Sequence, residues 1–139
     1  MVSTLYNDKQ MKKGIYIHIP FCKSRCVYCG FYSTTRAELS KRYTQALLRE
    51  MDLRRKAEAS LGTHNTDTIY LGGGTPSVLH ISDMEQILRH VQQVYPGNVR
   101  EITVEMNPDD VTLQYVSALR SLGVNRISMG VQSFDDKRL

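Results

Sequence analysis

The sequence predicts an α/β fold, part of a (β/α) barrel whose parallel strands curl around a polar cavity. Three observations lead there. First, four short stretches of alternating apolar and polar residues are separated by segments of helical periodicity, the rhythm of strand–helix–strand units joined by right-handed crossovers. Second, the strands have one apolar face: Ile15, Ile17 and Ile19; Ile69 and Leu71; Ile102, Val104 and Met106; Ile127, Met129 and Val131. The other face carries Tyr16, His18, Tyr70, Thr103, Glu105, Asn107, Ser128, Gly130 and Gln132. Parallel strands covered by helices on both sides read as continuous apolar runs, so a persistently polar face implies a concave wall. Third, the chemically capable residues fall at the C-terminal ends of the strands, where barrel chemistry resides.

Taken in order, the first strand is Ile15–Pro20, and a cysteine-bearing loop follows it. A helix is expected from Thr35 to Leu61. It opens on a capping box, Thr35–Glu38, repeats Leu39, Tyr43, Leu47 and Met51 on one side, and stops at Gly62. The second strand, Thr68–Leu71, runs into Gly72–Gly73–Gly74–Thr75–Pro76. A second capping box, Ser82–Glu85, opens a helix with the stripe Met84, Ile87, Leu88, Val91 and Val94, ended by Pro96–Gly97. The third strand is Glu101–Met106, closed by Asn107–Pro108. Asp109 and Asp110 suit the positive end of the next helix, whose stripe is Leu113, Val116, Leu119 and Leu122 before Gly123. Arg126–Gln132 is the fourth strand.

Composition narrows the functional classes. Hydrophobic residues at 41% and charged residues at 23% describe a soluble globular domain rather than a disordered chain. The formal charge of +4 comes from basic groups mixed with acids, at Lys12–Lys13, Lys41–Arg42 and Arg54–Arg55–Lys56, which reads as solvated surface. No nucleic-acid partner is expected. The opening MVSTLYNDKQ lacks a signal-peptide pattern, and no apolar run approaches a membrane span. Three clustered cysteines suit the reducing cytoplasm.

Those cysteines, Cys22, Cys26 and Cys29, all fall within FCKSRCVYC. An odd number cannot be consumed in disulfides, and a closed zinc site needs four ligands. Their spacing lets one short loop hold a [4Fe–4S] cluster with an iron open to an exogenous ligand. A zinc site completed by His18 is the alternative; His18 also reads as a cavity-wall residue or a substrate contact. Gly72–Gly73–Gly74 matches no phosphate loop. It is either a plain strand-to-helix turn or bare backbone that a ligand approaches. Glu105 is either exposed at a sheet edge or sits in the cavity, where ribose hydroxyls or a ligand ammonium would partner it. Gln132 either packs against a neighbouring strand or offers a donor and an acceptor.

YIHIPFCKSRCVYCGF closely resembles the opening of radical S-adenosylmethionine (SAM) proteins related to oxygen-independent coproporphyrinogen III oxidase. That group comprises HemN-like oxidases and HemW-like haem chaperones. The resemblance continues through IYLGGGTPSVL, ITVEMNPDD and LGVNRISMGVQSF. It implies that Cys22, Cys26 and Cys29 ligate three irons of a [4Fe–4S] cluster, while the amino and carboxylate groups of S-adenosyl-L-methionine chelate the fourth. It further implies that Tyr16 lies beside the cluster and SAM, with Tyr28 in place of an aromatic between the last two cysteines. Gly73, Gly74 and Thr75 match backbone lining the methionine end of SAM. Glu105 matches an acid that binds SAM, and Gln132 a contact for a second SAM in the oxidases. The implied chemistry is one-electron cleavage of SAM to a 5′-deoxyadenosyl radical that abstracts hydrogen from a substrate.

Within the group, the short lead before Tyr16 and the Gly30–Phe31–Tyr32–Ser33 that replaces a further cysteine resemble the chaperone branch, although that branch often has Asp where Gly30 stands. The expected function is therefore haem carriage, with haem or a porphyrin, an electron donor and a membrane partner for delivery. The alternative is the oxidase, which decarboxylates coproporphyrinogen III to protoporphyrinogen IX. A third reading, a zinc-stabilised basic module that binds nucleic acid, follows only from the zinc alternative. Residues 1–139 are expected to be the N-terminal portion of a radical SAM core, about four strands and three helices, without the rest of the barrel and a C-terminal domain. Its first and fourth strands would then have open edges.

Overall fold

The computed structural model describes residues 2–7, 12–24, 30, 32–58 and 65–130. A single sheet has five strands in sequence order: β1 (Val2–Asn7), β2 (Lys12–Ile19), β3 (Asn65–Gly73), β4 (Glu101–Met106) and β5 (Arg126–Met129). Strands β2 to β5 are parallel; β1 runs antiparallel to β2. Helices α1 (Ser40–Ala57), α2 (Ile81–Val94) and α3 (Leu113–Ser121) connect the parallel strands.

The period-2 pattern gives the expected face. Ile15 pairs with Ile69 and Ile69 with Ile102, while Ile17, Leu71 and Val104 form the next row. All six are buried, together with Leu47 and Met51 of α1 and Met84, Ile87, Leu88 and Val91 of α2. Fully burying each such side chain contributes about 1.5–3 kcal/mol, so these rows hold the helices to the sheet. Lys13 enters this layer with its side chain 1% exposed. Its ammonium is compensated by Glu58 at 2.6 Å and lies 5.0 Å from the centre of the Tyr95 ring. A buried cation without such partners would be costly.

Strand β1 was not anticipated, and it corrects the expected count of four. It pairs along the outer edge of β2, from Val2 with Ile17 to Asn7 with Lys12, so the first parallel strand has no open edge. An edge strand with one neighbour needs little apolar patterning, and VSTLYN offers little.

The helix starts differ too. No capping box forms at Thr35–Glu38. Thr34 is bridged to Phe21, with its N–H donating to the Pro20 carbonyl at 2.7 Å. A 3-10 turn at Ala37–Leu39 intervenes, and Glu38 pairs with Arg36 at 2.9 Å instead. The helix ends at Ala57 rather than Leu61, and Gly62 lies outside the described residues. The cap of α2 is His80, in extended backbone, whose Nδ1 accepts from the Ser82 N–H at 3.3 Å. Ser82 is already helical, and Glu85 turns to Arg89 at 2.8 Å. Asp109 and Asp110 occupy a separate 3-10 turn, Pro108–Asp110, and α3 is capped by Thr112, which accepts from Tyr115 N–H at 3.2 Å. Leu113, at the start of α3, is 86% exposed and does not join the stripe. Gly123, with φ of +94°, adopts the left-handed conformation that ends α3.

The fourth parallel strand stops at Met129, which is exposed, and Ile127 is only partly covered. The expected continuation through Val131 and Gln132 falls outside the described residues. On the polar face Thr103 is fully buried, its hydroxyl donating to Glu101 at 2.9 Å. The lower part of that face is thus closed by its own polar groups. The upper part, around Tyr16, His18, Tyr70 and Glu105, remains partly exposed. Among the described residues no helix is long and apolar enough to cross a membrane.

Candidate functional site

The rim at the C-terminal ends of β2, β3 and β4 gathers six of the expected residues: Tyr16, Cys22, Gly73, Gly74, Thr75 and Glu105. Beyond β2 and β3 the backbones stay paired: Gly74 N–H donates to the Ile19 carbonyl at 2.8 Å and Thr75 N–H to the Phe21 carbonyl at 2.6 Å. This extension brings the Thr75 hydroxyl to 3.8 Å from the Cys22 sulfur. Glycine is required here. A Cβ on Gly74 would lie 2.6 Å from the Phe21 carbonyl oxygen and 3.0 Å from Cys22 Sγ. Gly73 has φ of +117°, where side chains are strained, and its Cα faces the His18 ring.

Glu105 is held from two sides. One carboxylate oxygen accepts from the Tyr70 hydroxyl at 2.6 Å and the other from Gly73 N–H at 3.0 Å. Tyr70 stacks on Tyr16 with ring centres 6.0 Å apart. Burial pushes the Tyr70 hydroxyl above its ordinary range, and its bond to Glu105 adds to this, so it remains a protonated donor. Tyr16 is raised by burial and then by the nearby Glu105 charge. The sequence placed Tyr70 and Glu105 on one face; the register of β3 and β4 was needed to make them partners.

His18 is satisfied within the wall. Its Nε2 faces the Tyr32 carbonyl at 3.0 Å, which can only accept, so Nε2 carries the proton. Nδ1 then accepts from the Tyr16 hydroxyl at 3.2 Å. With both nitrogens hydrogen-bonded to neighbouring groups, His18 is placed as a cavity-wall residue.

Cys26, Tyr28, Cys29 and Gln132 lie outside the described residues. Sequence reasoning missed a polar tie at this rim. Lys23 ion-pairs with Asp110, and Ser77 donates to the same carboxylate at 2.6 Å. No sequence signal marks it, because its members lie in three separate loops.

The Radical SAM superfamily model matches residues 16–139, and the chain belongs to that superfamily. Among particular proteins, it is 36% identical over 130 residues to the haem chaperone HemW of Bacillus subtilis (strain 168), covering 91% of this chain and 34% of that protein. It is 34% identical over 130 residues to HemW of Buchnera aphidicola subsp. Acyrthosiphon pisum (strain APS), with the same coverage. It is 35% identical over 131 residues to an anaerobilin synthase of Escherichia coli O157:H7, covering 91% of this chain and 28% of the synthase. A solved structure of coproporphyrinogen III oxidase (HemN) from Escherichia coli, described as a radical SAM enzyme, superposes with a TM-score of 0.78 at 30% identity, covering 88% of this chain and 28% of that one. The chain thus spans about a third of the length of the curated relatives it matches.

Membership in the superfamily implies a [4Fe–4S] cluster and SAM. The described residues fit both. Cys22 presents a soft, partly exposed sulfur at the rim, as iron ligation needs. At the same rim, each oxygen of the Glu105 carboxylate keeps a second lone pair for a ligand donor.

Proposed function

We propose that this chain is the cluster- and SAM-binding N-terminal portion of a radical SAM protein of haem metabolism, and that the protein is a haem chaperone. The observation that carries the first part is the convergence of Cys22, Gly73–Thr75 and the braced Glu105 carboxylate at one rim. Cys22, Cys26 and Cys29 hold three irons of the cluster. The backbone of Gly73, Gly74 and Thr75 lines the methionine end of SAM, and Glu105 accepts hydrogen bonds from SAM. Tyr16 and Tyr28 flank the cluster, and Gln132 is the contact for a second SAM. When bound, the cluster supplies the single electron that cleaves SAM. The chain's own residues orient SAM and exclude water.

Chaperone function is supported by the relatives named HemW and by the GFYS sequence after the last cysteine. The protein works in the cytoplasm, receives an electron from a reducing partner, and passes haem to a membrane acceptor. The oxidase is the second reading, favoured by the fold match to coproporphyrinogen III oxidase. The full-length protein decides between them in a haem titration run beside anaerobic product analysis with coproporphyrinogen III, SAM and reductant. Stable haem binding without protoporphyrinogen IX supports the chaperone. Multiple-turnover decarboxylation without stable haem binding supports the oxidase.

A further inference from the structure

The cysteine loop leaves the sheet at Cys22 and returns at Thr34. Its neck is clamped: Cys22 N–H donates to the Thr34 carbonyl at 3.0 Å, and Thr34 N–H to the Pro20 carbonyl at 2.7 Å. Lys23, the residue after Cys22, reaches across the rim to Asp110 in the turn after β4. Asp110 is no ordinary surface acid. Its side chain is 6% exposed against 60% for Lys23. Its second oxygen accepts from the Ser77 hydroxyl at 2.6 Å, and Ser77 in turn accepts from Asn107 N–H at 3.2 Å. One carboxylate therefore joins the loops that follow β2, β3 and β4.

An exposed pair of two mobile side chains contributes little, because ordering both offsets the attraction. Here the acceptor is already held and shielded, so only Lys23 is ordered when the pair forms. We propose that Lys23, Asp110 and Ser77 form a positioning tie that holds Cys22 in place at the rim and thereby governs how firmly a bound cluster is retained. The proposal rests on the reading of Cys22 as a cluster ligand. Lys23 acts through its chain neighbour and is a positioning residue.

The test uses the full-length protein, reconstituted anaerobically, with iron release to a ferrous chelator followed over time. Lys23→Ala and Asp110→Asn should each speed release about fivefold, as expected for losing a partly exposed charge-assisted hydrogen bond. The double variant should be no faster than either single one, since both remove one interaction. Lys23→Arg, which keeps the charge and donors, should restore the wild-type rate; a merely structural effect of the mutation would not predict that rescue. If Asp110→Asn does not fold, the exposed Lys23 variants carry the test. A second readout needs no cluster: chymotryptic cleavage after the exposed Tyr32 in the apo-protein should quicken in Lys23→Ala. Wild-type rates for Lys23→Ala, or no rescue by arginine, would overturn the tie. A wild-type protein that takes up no iron and sulfide would overturn the cluster assignment instead. The cleavage comparison would then still decide the tie: faster cleavage upholds it and equal cleavage refutes it.

Discussion

Glu105 offers the sharpest test of the SAM pocket. Its two oxygens are each occupied once, by Tyr70 OH at 2.6 Å and Gly73 N–H at 3.0 Å. Each carboxylate oxygen has a second lone pair, so a braced acid can accept from ligand hydroxyls without moving. Glu105→Ala removes those acceptors and leaves the Gly73 N–H unpaired. Losing a charge-assisted bond costs about 1.5–3 kcal/mol, which weakens SAM binding roughly 10- to 100-fold. Glu105→Gln keeps one acceptor but turns an NH2 group toward a donor, so an intermediate loss of about tenfold is expected. Tyr70→Phe keeps the carboxylate and loosens one brace, with a smaller loss of about fivefold. The assay is equilibrium SAM binding to anaerobically reconstituted full-length protein, with iron and sulfide counted in each variant. The order Ala, Gln, Phe should hold at constant cluster content. Unchanged SAM affinity in iron-loaded Glu105→Ala would refute the placement of this residue in the pocket, and loss of the cluster itself would show that Glu105 acts structurally.

Other expectations follow from the same contacts. Reconstitution should load one [4Fe–4S] cluster per chain, and replacing Cys22, Cys26 or Cys29 by Ala should prevent it; stoichiometric zinc without iron or sulfide would contradict the assignment. Gly74→Ala forces a Cβ against the Phe21 carbonyl, a backbone atom that cannot step aside, and should lower stability by about 1–3 kcal/mol in urea unfolding. Leu88→Ala opens the fully buried α2 interface and should cost about 3–5 kcal/mol; a loss below 1 kcal/mol would show that the packing is not as described. Burial raises the hydroxyls of Tyr95 and Tyr115 to about 12 from 10.0. The folded state therefore keeps protons that the unfolded chain loses above its own pKa. Stability from this source is full below pH 10 and falls as pH rises toward 12, and the urea midpoint should track it. Replacing both tyrosines by Phe should lessen that decline.

Local pattern was enough for much of the fold. Period-2 alternation marked the β3 and β4 cores, β4 to its terminal residues, and the helix stripes marked Leu47, Met51 and the buried side of α2. Apolar periodicity reports burial, and burial is what these segments share. The helix starts were less legible, because a cap depends on backbone conformation. Thr35 and Ser82 have capping side chains, yet a 3-10 turn separates the first from α1 and the second already lies inside α2. Strand β1 escaped notice because an edge strand is defined by its partner rather than by its own pattern.

The site divides in the same way. Cysteine spacing, a glycine run and an acid on the polar face are properties of short segments, and together with the family resemblance they singled out Cys22, Gly73, Gly74, Thr75 and Glu105 without coordinates. Pairings between segments are not. That Tyr70 holds Glu105, that His18 spends both nitrogens on Tyr16 and Tyr32, and that Lys23 meets Asp110 across 87 residues all depend on strand register and on which loops share the rim. Hydrogen bonds act over about 3 Å, and sequence separation says nothing about so short a distance until the sheet has set it.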